Sequence, residues 1–180
     1  PMPGFFSTQM FNILKKLIRP AVARSARSRH QRWTQRSVVP AEVMESRVVL
    51  SSVSVDGGTL LFEADAGEVD DVSVSALDDS TLVIDTGGDV ITLLGGAAGN
   101  PDFQLSAGDT VLTVNVANAA LTGSEFQLGS EDDSLTVASL PQALSLTADG
   151  GAGSDVLDAT TALQGVVFVG GGGGDTLLGG

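Results

Sequence analysis

Two hydrophobic periodicities divide the chain. Between Ser7 and Pro20, the apolar residues Met10, Phe11, Ile13, Leu14, Leu17 and Ile18 recur at helical spacing, with Gln9, Asn12, Lys15, Lys16 and Arg19 opposite them. This predicts an amphipathic helix over about residues 8–19, ended by Pro20. The following AVARSARSRHQRWTQR, residues 21–36, has spaced arginines and no apolar period, so it reads as a tail in which His30 and Trp33 are solvated. From Val48 the period becomes two, as in VSVS at Val72, TLVI at Thr81, VLTVNV at Val111, SLTVASL at Ser134 and LSLTA at Leu144. Alternation of β-branched residues between Gly, Asp and Asn predicts short strands joined by tight turns.

The strands come in a repeat. An Asp shortly before an alternating apolar run recurs at Asp71, Asp89, Asp109, Asp133, Asp155 and Asp175, with separations of 18, 20, 24, 22 and 20 residues. A unit of about twenty residues cannot bury its apolar face alone and must stack on its neighbours. The pattern predicts an all-β fold, a parallel β-roll or β-solenoid, preceded by a basic leader that is helical or disordered. An antiparallel sandwich stays open for the middle segment. Three regions follow: a basic leader over residues 1–47, an acidic β-repeat region over 48–149, and a glycine-rich repeat region over 150–180.

Charge sharpens these boundaries. All nine Lys and Arg lie between Lys15 and Arg47, whereas twenty acids follow Ser51, so the formal charge of -13 hides a leader of about +7 and a body of -20. Such a body does not neutralise phosphates, which argues against a nucleic-acid partner and for cations. The leader suits either transient association with an anionic membrane surface or a disordered tail. No apolar run of about 18 residues is present, so the sequence offers no spanning helix. Without cysteine there is no disulfide, thiolate metal site or Cys nucleophile. Oxygen ligands remain.

The glycine-rich region reads GGAGSDVLD from Gly150 to Asp158 and GGGGGDTLL from Gly170 to Leu178. Both carry Gly-Gly-x-Gly-x-Asp-x-apolar: Gly150, Gly151, Gly153, Asp155 and Leu157, then Gly170, Gly171, Gly173, Asp175 and Leu177. A linker needs the glycine but not a fixed Asp and Leu. Glycine allows positive φ and close backbone approach, the carboxylate is a hard oxygen ligand, and the leucine two residues later is a core anchor. The two Asp lie 20 residues apart, so they can sit one above the other on coils about 4.8 Å apart. The half-turn between them, residues 159–169, has no glycine loop, which predicts one shared site and none on the opposite edge.

This nonapeptide resembles the haemolysin-type (RTX) calcium-binding repeat. The resemblance covers about eighteen residues and implies Ca2+ held by Asp155, Asp175 and backbone carbonyls of the glycines. It also implies an exported, extracellular protein whose loops order around the ion. Gly179 and Gly180 open a third copy, which, with Pro at position 1, is expected of a fragment. In the leader, Met44-Glu45-Ser46-Arg47-Val48-Val49-Leu50 resembles the Leu-Glu-Pro-Arg-type leaders of planctomycete surface proteins, with Ser in place of Pro, and again implies export to the cell surface.

The acids Asp71, Asp89, Asp109 and Asp133 lack the glycine set and are expected to be turn residues or solvated charges; Asp158 has no assigned role. A polysaccharide-acting enzyme is the rival class. The body offers no Lys, Arg or His, and the adjacent acids Asp70 and Asp71, Asp78 and Asp79, and Asp132 and Asp133 point to opposite faces if they lie on strands. The chain is therefore expected to be a non-enzymatic calcium-binding protein. The alternative is a structural or adhesive surface stalk that meets cell-surface or extracellular polymers.

Overall fold

A computed structural model describes residues 50–163 and 165–179. The expected leader helix, the basic tail and most of the leader motif lie outside the described residues. Among these the chain is all-β, with no helix and thirteen strands. In order they are β1 (Leu50–Asp56), β2 (Thr59–Glu63), β3 (Asp71–Asp78), β4 (Thr81–Asp85), β5 (Val90–Leu93), β6 (Phe103–Leu105), β7 (Val111–Asn115), β8 (Gly123–Gln127), β9 (Ser134–Val137), β10 (Ser145–Asp149), β11 (Val156–Asp158), β12 (Val166–Val169) and β13 (Thr176–Leu178).

Two sheets form, in the orders β12-β10-β8-β2-β1-β5 and β13-β11-β9-β3-β4-β7-β6. From β8 onward successive strands alternate between the sheets. Each pairs in parallel with the strand two places on: Gly123 with Ser145 and Leu146 with Val166 in one sheet, Ser134 with Val156 and Val156 with Thr176 in the other. Strands β2 and β3 join them in parallel through β8 and β9.

Between β3 and β8 the chain leaves this pattern. Strands β4, β7 and β6 extend the sheet beyond β3 in that order, each antiparallel to the one before it, and β1 pairs antiparallel with β2 and parallel with β5. The sheets are therefore mixed, and the twenty-residue spacing at Asp89 and Asp109 is not a step of the parallel stack. Asp89 lies in the turn before β5 and Asp109 in the turn before β7, at φ 57. Tight turns such as Asp78-Asp79-Ser80 reverse the chain here, with the Asp78 carboxylate accepting hydrogen bonds from the Ser80 N–H at 2.8 Å and hydroxyl at 2.9 Å.

Alternation places one face of every strand inside. Leu60 and Phe62, Val72 and Val74, Phe126, Leu135 and Val137, Leu146 and Ala148, and Leu157 are all buried in one core. Parallel register aligns these side chains in columns, such as Val72, Leu135, Leu157 and Leu177 across β3, β9, β11 and β13. Leu157 is buried as expected of an anchor. Leu177, its equivalent, is 46% exposed, because β13 is an edge strand among the described residues and no described strand covers its place in the column.

Candidate functional site

The residue immediately before β3, β9, β11 and β13 is Asp in each case: Asp70, Asp133, Asp155 and Asp175. Parallel register stacks them as rungs. The carboxylate Oδ1 of each later Asp accepts the backbone N–H of the rung before it: Asp70 to Asp133 at 2.9 Å, Asp133 to Asp155 at 2.9 Å and Asp155 to Asp175 at 3.2 Å. Alongside, each rung's carbonyl accepts the N–H of the residue after the next Asp, at 2.8 Å from Ser134 to Asp70, 2.8 Å from Val156 to Asp133 and 2.7 Å from Thr176 to Asp155. In each rung a short side chain carries the accepting oxygen back along the stacking direction. Asp155 and Asp175 are thus brought together, and each uses one oxygen within the protein.

The other oxygen is different. Asp155 is 0% exposed and Asp133 1%, yet Oδ2 of each has no hydrogen-bond partner. A buried polar atom left unpaired costs a few kcal/mol, more when charged, and calls for an ion, a water or a proton. The glycines set what lies beside it. A Cβ on Gly150 would collide with Asp155 Oδ2 and stand 2.8 Å from the Gly170 carbonyl; one on Gly170 would collide with Asp175 Oδ2. The missing side chains thus leave a carboxylate oxygen and a carbonyl oxygen of the next turn flanking one cradle. Gly151 stacks on Gly129 and Gly171 on Gly151, while Gly153 stacks on Glu131 and Gly173 on Gly153, so the turns lie flat against each other. Hydrogen bonds from Ala152 to the Gly129 carbonyl at 3.0 Å and from Gly172 to the Gly151 carbonyl at 2.7 Å hold them there.

Among the described residues, no three His, Cys, Asp or Glu side chains converge as a ready metal cage. A cation at these turns would have to complete its shell from backbone carbonyls and water. The donors present, carboxylate and carbonyl oxygen without nitrogen or sulfur, fit a hard cation such as calcium.

The earlier rungs were not legible as such. Asp133, expected to be a turn residue or solvated charge, is buried in the ladder, and the first rung is Asp70 rather than Asp71, which is exposed on β3. The doublets Asp70-Asp71 and Asp132-Asp133 carry no sign of which acid turns inward. The register between Asp71 and Ser134 across the inserted β4–β7 segment is what selects them. Asp158 also acquires a role: its carboxylate accepts the Thr160 N–H at 2.8 Å, closing the turn after β11, and this bond holds its carboxyl below the usual range.

Burial, then the negative charge of Asp133, Asp89, Asp65 and Glu68, pushes the Asp70 carboxyl up to about 7. Burial chiefly pushes Asp133 up to about 6, with Asp155, Asp132 and Glu131 adding to it and the Asp70 N–H opposing. Both groups hold their proton more tightly folded than unfolded, so the folded state binds more protons between about pH 4 and pH 7. Stability must then fall as pH rises through that window. In chelator, the thermal midpoint is expected to decline from pH 4.5 to pH 8, and Asp70→Asn with Asp133→Asn should flatten the slope. A midpoint that rises over the same range is the contrary result.

No protein-family model, curated protein or solved structure matches this chain.

Proposed function

We propose that the chain binds calcium at the stacked turns of residues 150–155 and 170–175, and that β2, β3 and β8–β13 constitute a parallel β-roll built for that purpose. The observation that carries this reading is the buried, unpartnered Oδ2 of Asp155 beside the cradle left by Gly150 and the Gly170 carbonyl. Resemblance of both turns to the haemolysin-type calcium repeat supports it independently. Asp155 and Asp175 would supply carboxylate oxygens, and the glycine-rich turns carbonyl oxygens. Calcium, when bound, supplies the positive charge that the body lacks, since no Lys or Arg follows Arg47.

The chain's own part is to hold those oxygens in place. Stacked glycine turns cost backbone entropy of about 1–2 kcal/mol per ordered residue, and the body carries twenty acids. An ion that binds only the ordered turns offsets both terms, by about 2.7 kcal/mol at a hundredfold excess over Kd. Folding of the last coils is thereby linked to free calcium, which suits a protein exported to the cell surface. The chain acts as a binding protein and not as an enzyme, since its body lacks the Lys, Arg and His that a polysaccharide-acting site uses.

Titration calorimetry with calcium on the chelator-stripped chain tests the reading, with Asp155→Asn and Asp175→Asn beside the wild type. Asn keeps the carbonyl oxygen that accepts the neighbouring N–H, so the ladder survives while the charge goes. Saturable heat in the wild type, weakened at least ~10-fold in both variants, is expected. Heat unchanged in both variants, or absent from the wild type, removes the proposal.

A further inference from the structure

The inserted segment that interrupts the parallel stack has an outward face of its own. Strands β4, β7 and β6 lie side by side, with Thr81 opposite Asn115 and Gln104 opposite Thr113. Alternation turns Leu112 and Val114 of β7 into the core and leaves Thr113 and Asn115 half-buried on the other face. There they floor a cavity of about 320 Å³, flanked by Thr81 of β4 and Gln104 of β6. Its wall comes from two turns, Pro101 and Asp102 before β6 and Asn118 after β7. That volume is at the lower end of the range for small-molecule sites, about 300–1,000 Å³.

The wall is tied to the floor. The Asn115 N–H donates to the Asp102 carbonyl at 2.9 Å, and Asn115 Oδ1 accepts the Asn118 N–H at 3.0 Å. Asn118 Nδ2 in turn donates to Asp102 Oδ1 at 3.2 Å. These bonds settle which polar atoms are left over: Asp102 Oδ2 and Asn118 Oδ1 as acceptors, Asn115 Nδ2 as a donor, and the Thr113 hydroxyl as either. Side chains fixed before a ligand arrives lose little freedom on binding it.

The lining narrows the ligand class. An apolar molecule would leave these groups buried and unpaired, since Pro101 alone among the lining residues has no polar side-chain group. An anion would meet the Asp102 carboxylate with no Lys or Arg after Arg47 to balance it. Asp102 is also the single carboxylate of the lining, so a divalent cation finds little charge there. Acceptors close to an amide donor match a neutral molecule whose neighbouring hydroxyls both give and accept hydrogen bonds.

We propose that this cavity binds an uncharged sugar unit, with Asp102, Asn115 and Asn118 bonding adjacent hydroxyls. Pro101, Gln104 and Asn118 are exposed at its rim, so it opens to solvent and accepts a unit within a longer neutral polysaccharide. It shares no residue with the turns at residues 150–155 and 170–175, and it stands or falls apart from calcium binding.

Calorimetry and NMR on the full chain test this, with neutral tetrasaccharides of glucose, galactose, mannose and xylose as probes and a galacturonate tetramer as the charged control. Saturable binding of at least one neutral probe is expected, and the side-chain amide signals of Asn115 and Asn118 should shift as it binds. Asp102→Ala and Asn118→Ala each remove one bonding group from a surface turn and should weaken binding ~10-fold. If either variant fails to fold, the wild-type amide shifts decide. No binding of any neutral probe, preference for galacturonate, shifts confined to residues outside the cavity, or unchanged affinity in both variants overturns the site.

Discussion

Replacing Gly151 with alanine should destabilise the chain by about 2 to 6 kcal/mol, whereas the same change at Gly172 should stay within about 1 kcal/mol of neutral. Gly151 sits at φ 90, a conformation that L side chains rarely adopt, and a Cβ there would collide with the Gly129 carbonyl. It would also stand 2.9 Å from that carbonyl carbon and 3.2 Å from the Gly129 nitrogen. Neither turn can give way, because the Gly129 oxygen is bonded to the Ala152 N–H and the Gly151 oxygen to the Gly172 N–H. Gly172 lies one residue further along the next turn. Its nearest neighbour to a Cβ is the Gly151 oxygen at 4.0 Å, and the equivalent place one coil earlier is already occupied by Ala152. Denaturant unfolding of the two variants measures the difference. Equal losses would mean that the stacking of these turns does not govern stability.

Phe126→Ala should cost about 3–5 kcal/mol, the range for emptying a large buried aromatic site. Phe126 is fully enclosed and stacks on Phe62, with ring centroids 5.1 Å apart and planes at 24°. The two rings meet because β2 and β8 pair in parallel with Phe62 opposite Phe126. That pair ties the strand before the inserted β4–β7 segment to the parallel stack after it. A cycle with Phe62→Ala should show a coupling of about 0.5–1.5 kcal/mol beyond area loss. Additive losses within error would show that the rings are buried separately rather than as a pair.

Several features were legible before any coordinates. Period-two alternation in LSLTA and SLTV marked strands whose buried positions, Leu146 and Ala148, Leu135 and Val137, are those the alternation selects. The two glycine motifs fixed the last turns, because the 20 residues from Asp155 to Asp175 equal one step of the register from Val156 to Thr176. Spacing misled at Asp89 and Asp109, where a similar interval arises in antiparallel hairpins: an Asp in a tight turn before a strand looks the same whichever way the next strand runs. The motif of Leu177 matches that of Leu157 and so predicts a buried anchor, but burial depends on the strand that covers a column, which a motif does not specify.

The sequence by itself determined strand propensity, the acid-rich body without a counter-charge, and the two turns where only glycine can stand, since these depend on side-chain alternation, on charge and on local φ. The tertiary structure alone decided that Asp70 and Asp133 stand in line with Asp155 and Asp175, that three oxygens along this line are left unpaired beside Asp70's second one, and that Phe62 meets Phe126. Those contacts join residues more than sixty positions apart across an inserted hairpin segment. Long-range register, set by the hydrogen-bond ladder and the packing of the core columns, has no local trace in the chain.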